Sequence, residues 1–228
     1  IVSINQVYSQ LSDLHYIPPL TSGQSNAVIL RQYLYISTPE TSNVDVQITP
    51  IGSAPFNVTV SNSSPYRFDI DNDGSDQDGG QLYLASPTLN AGSIINDKGY
   101  IIQSSKEVYV GVRVFGDNRG SSSFAQAGAM TSKGKSALGT SFKAGMPQIP
   151  NRNFGQVQFI SVMATIDNTN ITFENLDSSV TYAGTVTSSI SSLTINLNRG
   201  ETYILAASRD SDGVTSNTLI GTSIVSNK

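Results

Sequence analysis

The stretch Phe159–Phe173, read FISVMATIDNTNITF, alternates apolar and polar residues as far as Ala164, turns through IDNT and resumes the alternation in NITF. A period of two puts successive side chains on opposite faces of an extended chain, so the stretch predicts strand, tight polar turn, strand. The same design occurs earlier in Tyr33–Ile48, YLYISTPETSNVDVQI. From Tyr33 to Phe115 the alternation predicts short strands at Tyr33–Ser37, Val44–Thr49, Phe56–Val60, Tyr66–Ile70, Tyr100–Ser104 and Val108–Phe115. Clusters of Gly, Pro, Asn or Asp separate them, and no helical period is sustained. The pattern is that of an all-β chain.

The second half repeats the first in order. Asn43–Ile48 aligns with Asn168–Phe173, and Val58–Val60 followed by Tyr66 aligns with Leu193–Ile195 followed by Tyr203. Gly99, Ile102, Ser104 and Lys106 align with Gly221, Ile224, Ser226 and Lys228, a shared G-x-x-I-x-S-x-K. Preserved order across several short matches marks an internal repeat. The expected architecture is two related β-sandwich-like units in tandem, joined by a Gly/Ser-rich connection. The division reads as an extended lead-in at 1–32, a first β unit at 33–115, a connecting segment at 116–155 and a second β unit at 156–228.

In this alignment the first unit runs on after Lys106 into VYVGVRVF, Val108–Phe115, whereas the second has no counterpart of that strand. A sandwich without its last strand bares a row of unpaired backbone groups. The expectation is therefore a piece of a longer protein, or a strand supplied by another segment or chain.

Residues 1–10, IVSINQVYSQ, read either as a strand or, over 1–9, as the remnant of a secretion signal ending in Val7-Tyr8-Ser9. The prolines of His15-Tyr16-Ile17-Pro18-Pro19-Leu20 exclude helix and central strand. His15 is the sole histidine, so a packing or hydrogen-bonding role is expected of it. Gly116–Pro150 reads as a surface-draped connection. Its Gly134-Lys135-Ser136 has the ending of a phosphate-binding loop, but the earlier glycine would have to stand at Ala129, so a nucleotide site is rejected.

Composition narrows the class. The 228 residues include no cysteine, which removes disulfides and thiolate metal sites and points toward a bacterial origin for a surface-type chain. A net charge of −4 argues against a nucleic-acid partner, which needs a basic face. No apolar run is long enough to span a bilayer.

Candidate chemistry concentrates in Asp69–Gly80, DIDNDGSDQDGG, where carboxylates alternate with small residues on a chain able to turn sharply. Calcium favours such oxygen-rich loops, so Asp69, Asp71, Asp73, Asp76 and Asp78 are candidate Ca2+ ligands. Asp210 and Asp212 in the related DSDG of the second unit are further candidates. The plainer interpretation is solvated turns, which favour the same residues. A serine nucleophile would lack a suitable base, and no G-x-S-x-G elbow occurs. Glu107, Glu174 and Glu201 fall in or beside predicted strands, where an exposed solubilising role is the commoner one. The chain is expected not to be an enzyme.

Five motifs together resemble the IgGFc-binding protein N-terminal domain family. They are HYIPPLT at His15–Thr21, QYLYISTP at Gln32–Pro39, ALGTSFKAG at Ala137–Gly145, SVMATIDNTNITF at Ser161–Phe173 and LIGTSIVSNK at Leu219–Lys228. The likeness is to versions in large surface proteins of Bacteroidetes, often tied to gliding motility and type IX secretion. The resemblance implies export, a cell-surface or extracellular location and a multidomain parent. It does not carry Fc binding over, since no residue here matches an Fc-contacting motif. The expected function is a non-enzymatic binding or structural module of a bacterial cell-surface protein, related to adhesion. One alternative is a carbohydrate-binding module, with Tyr33, Tyr35, Tyr83 or Tyr100 stacking on sugars and calcium at the Asp loop. Another is a subunit of a surface assembly completed by a strand from another chain.

Overall fold

A computed structural model describes residues 10–21, 29–71, 81–84, 91–118, 121–146, 158–184, 186, 189–207 and 219–228. The strands are β1 (Ser12–Ile17), β2 (Leu20–Thr21), β3 (Ile29–Ser37), β4 (Val44–Pro50), β5 (Phe56–Val60), β6 (Tyr66–Asp71), β7 (Tyr83–Leu84), β8 (Ile94–Ile95), β9 (Tyr100–Asn118) and β10 (Ser121–Thr131). A short 3-10 turn at Gly134–Ala137 precedes β11 (Ser141–Lys143), β12 (Phe159–Met163), β13 (Thr169–Glu174), β14 (Ser192–Leu197), β15 (Thr202–Ala206) and β16 (Ser223–Ser226). The chain is all-β, as the alternation implies.

The first unit is organised by β9, a single strand of 19 residues. Its first part pairs with β4 on one edge and β1 on the other, and its second part pairs with β3 and β10. The two predicted strands Tyr100–Ser104 and Val108–Phe115 are thus one. Ser105, Lys106 and Glu107 between them are exposed but stay extended where the strand passes between its two sets of partners. Alternation then fills the space between those sets. Leu34 and Ile36 of β3, Val46 and Ile48 of β4, and Val108, Val110 and Val112 of β9 share one buried cluster.

The second unit repeats this pairing with a matching register. Val46 of β4 lies opposite Ser104, and Ile48 opposite Ile102; Ile171 of β13 lies opposite Ser226, and Phe173 opposite Ile224. Likewise β3 and β6 correspond to β12 and β15. The shared G-x-x-I-x-S-x-K acquires a physical meaning here. Gly99 and Gly221 both take positive φ, 99° and 80°, where a side chain is strained. Ile102 and Ile224 are buried. Ser104 donates to the Lys106 carbonyl and Ser226 to the Lys228 carbonyl. Lys106 reaches Glu40 in the β3–β4 turn, and Lys228 reaches the Asp167 carbonyl in the β12–β13 turn.

Two expectations need correction. Val46 pairs with Val58 and Ile171 with Ile195, so Val58 corresponds to Ile195 and not to Leu193. A slip of two residues keeps every side chain on its face, so the pattern could not detect it. Gly116–Pro150 is also more than a draped connection, since it contains all of β10 and β11. Strand β11 pairs with β16 as β1 pairs with β9: Phe142 lies opposite Ile224, and His15 opposite Ile102.

A smaller cluster joins the two halves. Strand β8 pairs with β15, and Ala91 and Ile95 pack against Ala183, Ile204 and Ala206. Strand β15 is consequently buried along its whole length: Tyr203 and Leu205 face one core, Ile204 and Ala206 the other.

Candidate functional site

A cleft of about 470 Å³ opens in the second unit, where Tyr16, Pro18, Ser132 and Gly134 from the first half also line it. One wall is β12, with Ile160 and Val162, and the other is the sheet β14-β13-β16-β11, with Ile171 and Ile224. Phe142 and Leu138 line it while remaining 45% and 42% exposed. Lys143 and Lys228 also line the cleft; the first donates to Ser223 Oγ at 3.1 Å and the second to the Asp167 carbonyl at 2.8 Å. The surface is thus mainly apolar with two cationic side chains, a composition suited to holding a ligand.

The equivalent space in the first unit is filled. Leu34 and Ile36, the register counterparts of Ile160 and Val162, lie opposite Val112 and Val110 of β9. In the second unit, β12 pairs with β15 alone among the described strands, so its other edge carries no described partner.

His15 shows what closure of the first unit's groove does to a side chain. It is fully buried, and its Nε2 lies 3.1 Å from both the Ser12 and the Val108 carbonyls. Two carbonyl neighbours require Nε2 to carry the hydrogen, so Nδ1 accepts from the Ser132 hydroxyl at 2.9 Å. Burial outweighs these hydrogen bonds and holds the imidazole below its ordinary pKa, so it is neutral. Its counterpart by register is the exposed Phe142. The Gly134-Lys135-Ser136 turn is part of the same clasp. Gly134 takes a φ of 56°, and a Cβ there would collide with Ser12. The Lys135 backbone amide donates to Ser12 Oγ, and its ammonium pairs with Asp13, whose carboxyl is held below the usual range mainly by that contact.

Only some of the residues singled out from sequence fall among the described ones. Asp69 and Asp71 lie on β6. The Asp69 carboxylate is paired with Arg67, Nε to Oδ1 at 3.0 Å. The side chain of Asp71, and all of Asp73, Asp76, Asp78, Asp210 and Asp212, lie outside the described residues. Among the described residues no three His, Asp or Glu side chains converge as a metal site would need. Tyr100 cannot stack on a sugar: it is 2% exposed, in the first core, and burial pushes its hydroxyl pKa well up. Its in-phase spacing with Ile102 was the available signal that it faces inward. Tyr33 and Tyr35 are half-buried, and Arg67 and Arg113 lie 5.5 Å and 5.1 Å from their ring centroids. The Tyr83 side chain lies outside the described residues. Glu107 and Glu174 are exposed, and Glu201 accepts from the Asn198 amide at 2.7 Å, holding a turn.

Fold and cleft together define a tandem-repeat, all-β module with one filled and one open inter-strand groove. The sequence profile of the IgGFc binding protein family matches residues 127–228. That range spans the end of β10 and every strand of the second unit, including the cleft's main walls. No curated protein and no solved structure matches the chain. No helix among the described residues is long and apolar enough to cross a membrane.

Proposed function

We propose that the chain is a non-enzymatic, extracellular module of a surface protein that binds a polypeptide in the cleft of its second unit. The observation that carries this reading is the mainly apolar cleft walled by β12, within the range of the family match. The family's name refers to antibody Fc regions, and a protein ligand is the general part of that name which the cleft suits. The surface location follows from the same family likeness. Adhesion is the role such a module serves in its parent protein.

Parallel peptide and glycan arrays, probed with the wild type and with Val162→Lys, test this reading. Val162 lines the cleft on an edge strand, so a lysine there blocks the site while keeping solvent access. Peptides bound by the wild type and lost in the variant support the proposal. Glycan binding without peptide binding, or peptide binding indifferent to the substitution, overturns it.

A further inference from the structure

We propose that the outer face of the sheet β6-β3-β9-β10 in the first unit binds an acidic glycan, with a sugar ring on a shelf beside Tyr35 and its carboxylate on Arg113. The site is separate from the cleft and does not rest on the polypeptide-binding reading.

Alternation along β3 and β9 sets this face. Leu34, Ile36, Val110 and Val112 point into the first core, so Tyr33, Tyr35, Gly111 and Arg113 stand on the other side of the sheet. Arg67 and Asp69 of β6 lie opposite Tyr35 and Tyr33, and Ala129 and Thr131 of β10 lie opposite Arg113 and Gly111.

Charge is the first observation. The chain has a net charge of −4, yet this face gathers Arg31, Arg67 and Arg113, all exposed. Arg67 is neutralised by Asp69, Nε to Oδ1 at 3.0 Å. Arg113 makes no ion pair among the described residues. Glu107, the next carboxylate toward the start of β9, lies six residues from Arg113, roughly 20 Å along an extended strand. The Arg113 guanidinium instead lies over the Tyr35 ring, 5.1 Å from its centroid. Stacking on the ring fixes the guanidinium plane and leaves its N–H edge to solvent, the arrangement that takes a carboxylate through two parallel hydrogen bonds.

Shape is the second. Gly111 lies opposite Tyr35, and a Cβ there would meet only the Met130 carbonyl, at 3.8 Å. With the small side chains of Ala129 and Thr131 alongside, it forms a low shelf against Tyr35 and Arg113. A pyranose ring laid on this shelf sets C–H groups against the Tyr35 ring and a ring carboxylate toward Arg113.

Main-chain chemistry separates a glycan from a peptide. The N–H and C=O groups of β9 here are shared between β3 and β10, and those of β3 between β6 and β9. A peptide backbone laid across the face therefore finds no partner of the kind that strand addition uses. The acidic chain as a whole disfavours nucleic acid.

The test is titration of the chain with hexagalacturonate in the presence of a calcium chelator, followed by calorimetry and backbone amide shifts. The carboxyl-reduced hexasaccharide and hexaglutamate are the comparison ligands. The expected result is saturable binding that weakens with salt, shifts centred on Gly111, Arg113 and Ala129, and at least tenfold weaker binding of both comparison ligands. Arg113→Gln, at an exposed side chain, should keep the thermal midpoint and weaken hexagalacturonate at least tenfold. Gly111→Val, which fills the shelf, should do the same, and Val162→Lys should bind like the wild type. Absence of saturable binding at millimolar hexagalacturonate overturns the proposal, as does binding indifferent to Arg113→Gln. Equal binding of the carboxyl-reduced sugar removes the role of Arg113, and equal binding of hexaglutamate makes the face one for acidic peptides; either overturns it. Loss of hexagalacturonate binding in Val162→Lys moves the glycan to the cleft and overturns it too. Failure of all these titrations leaves peptide binding in the cleft to be judged by its own arrays.

Discussion

Ile36 and Val162 occupy the same register position in the two units, each on the strand that walls an inter-strand groove. Ile36 is 0% exposed, whereas Val162 is only half-buried. Strand pairings, turn anchors and the Ser–Lys contacts at the end of the motif are shared, so the difference traces to β9. In the first unit β9 runs on past Glu107 and its valines fill the groove; nothing among the described residues does so in the second. The same framework thus yields a closed core in one place and a cleft in the other. Backbone register is shared even where the packing around the wall residues differs among the described residues.

The largest effect should come from truncating the two equivalent wall residues. Ile36→Ala removes side-chain atoms from a filled core and should cost about 3 kcal/mol. Val162→Ala faces open space and should cost about 1 kcal/mol or less, since no buried cavity is created. Denaturant unfolding of both variants measures the gap. Equal costs would show that the cleft is as tightly packed in solution as the first core.

An intermediate effect is expected at the next equivalent pair, His15 and Phe142. His15→Ala leaves the Ser12 and Val108 carbonyls without that donor and should cost about 2 kcal/mol; Phe142→Ala, on an exposed side chain, should cost about 0.5 kcal/mol or less. His15 also adds a pH dependence. Its pKa is lowered in the folded chain from the ordinary histidine value of 6.5, so below that value the unfolded state binds more protons. Its contribution is therefore fully present above about pH 6.5 and is lost as the pH falls toward the folded pKa. Thermal midpoints from pH 7 to pH 5 should fall more steeply for the wild type than for His15→Ala. Parallel curves would contradict the buried neutral imidazole.

The smallest effect belongs to the turn anchors. Lys106 pairs with Glu40 at 2.6 Å, but both side chains are well exposed. Lys106→Ala should cost about 0.5 kcal/mol, and less in high salt. A loss of several kcal/mol would mean that this lysine fixes the course of β9 rather than decorating it.

Much of the framework was legible because the inner faces alternate cleanly, as in β4, whose buried positions are Val44, Val46 and Ile48. The continuity of β9 was hidden because Ser105, Lys106 and Glu107 bury neither face, so the alternation lapses without the strand ending. Strand β11 escaped because its three residues are all exposed and leave no period to read; only its register against β16 reveals it. The repeat set β16 against the first part of β9. Which residues line the cleft depends on register and side-chain placement, and Ile160, Val162 and Phe142 were not singled out. Residue type was a poorer guide among the tyrosines, since it does not say which face a side chain occupies. Tyr100 is the clear instance.

Residue-resolved hydrogen exchange under native conditions tests the open groove most directly. Tyr35 and Ser161 are register equivalents on β3 and β12. The account predicts that the Tyr35 amide, facing β9, exchanges only through large-scale unfolding, while the Ser161 amide exchanges orders of magnitude faster than its neighbours Ile160 and Val162. Uniform protection along β12, matching that of β3, would contradict it and show that the edge is already covered.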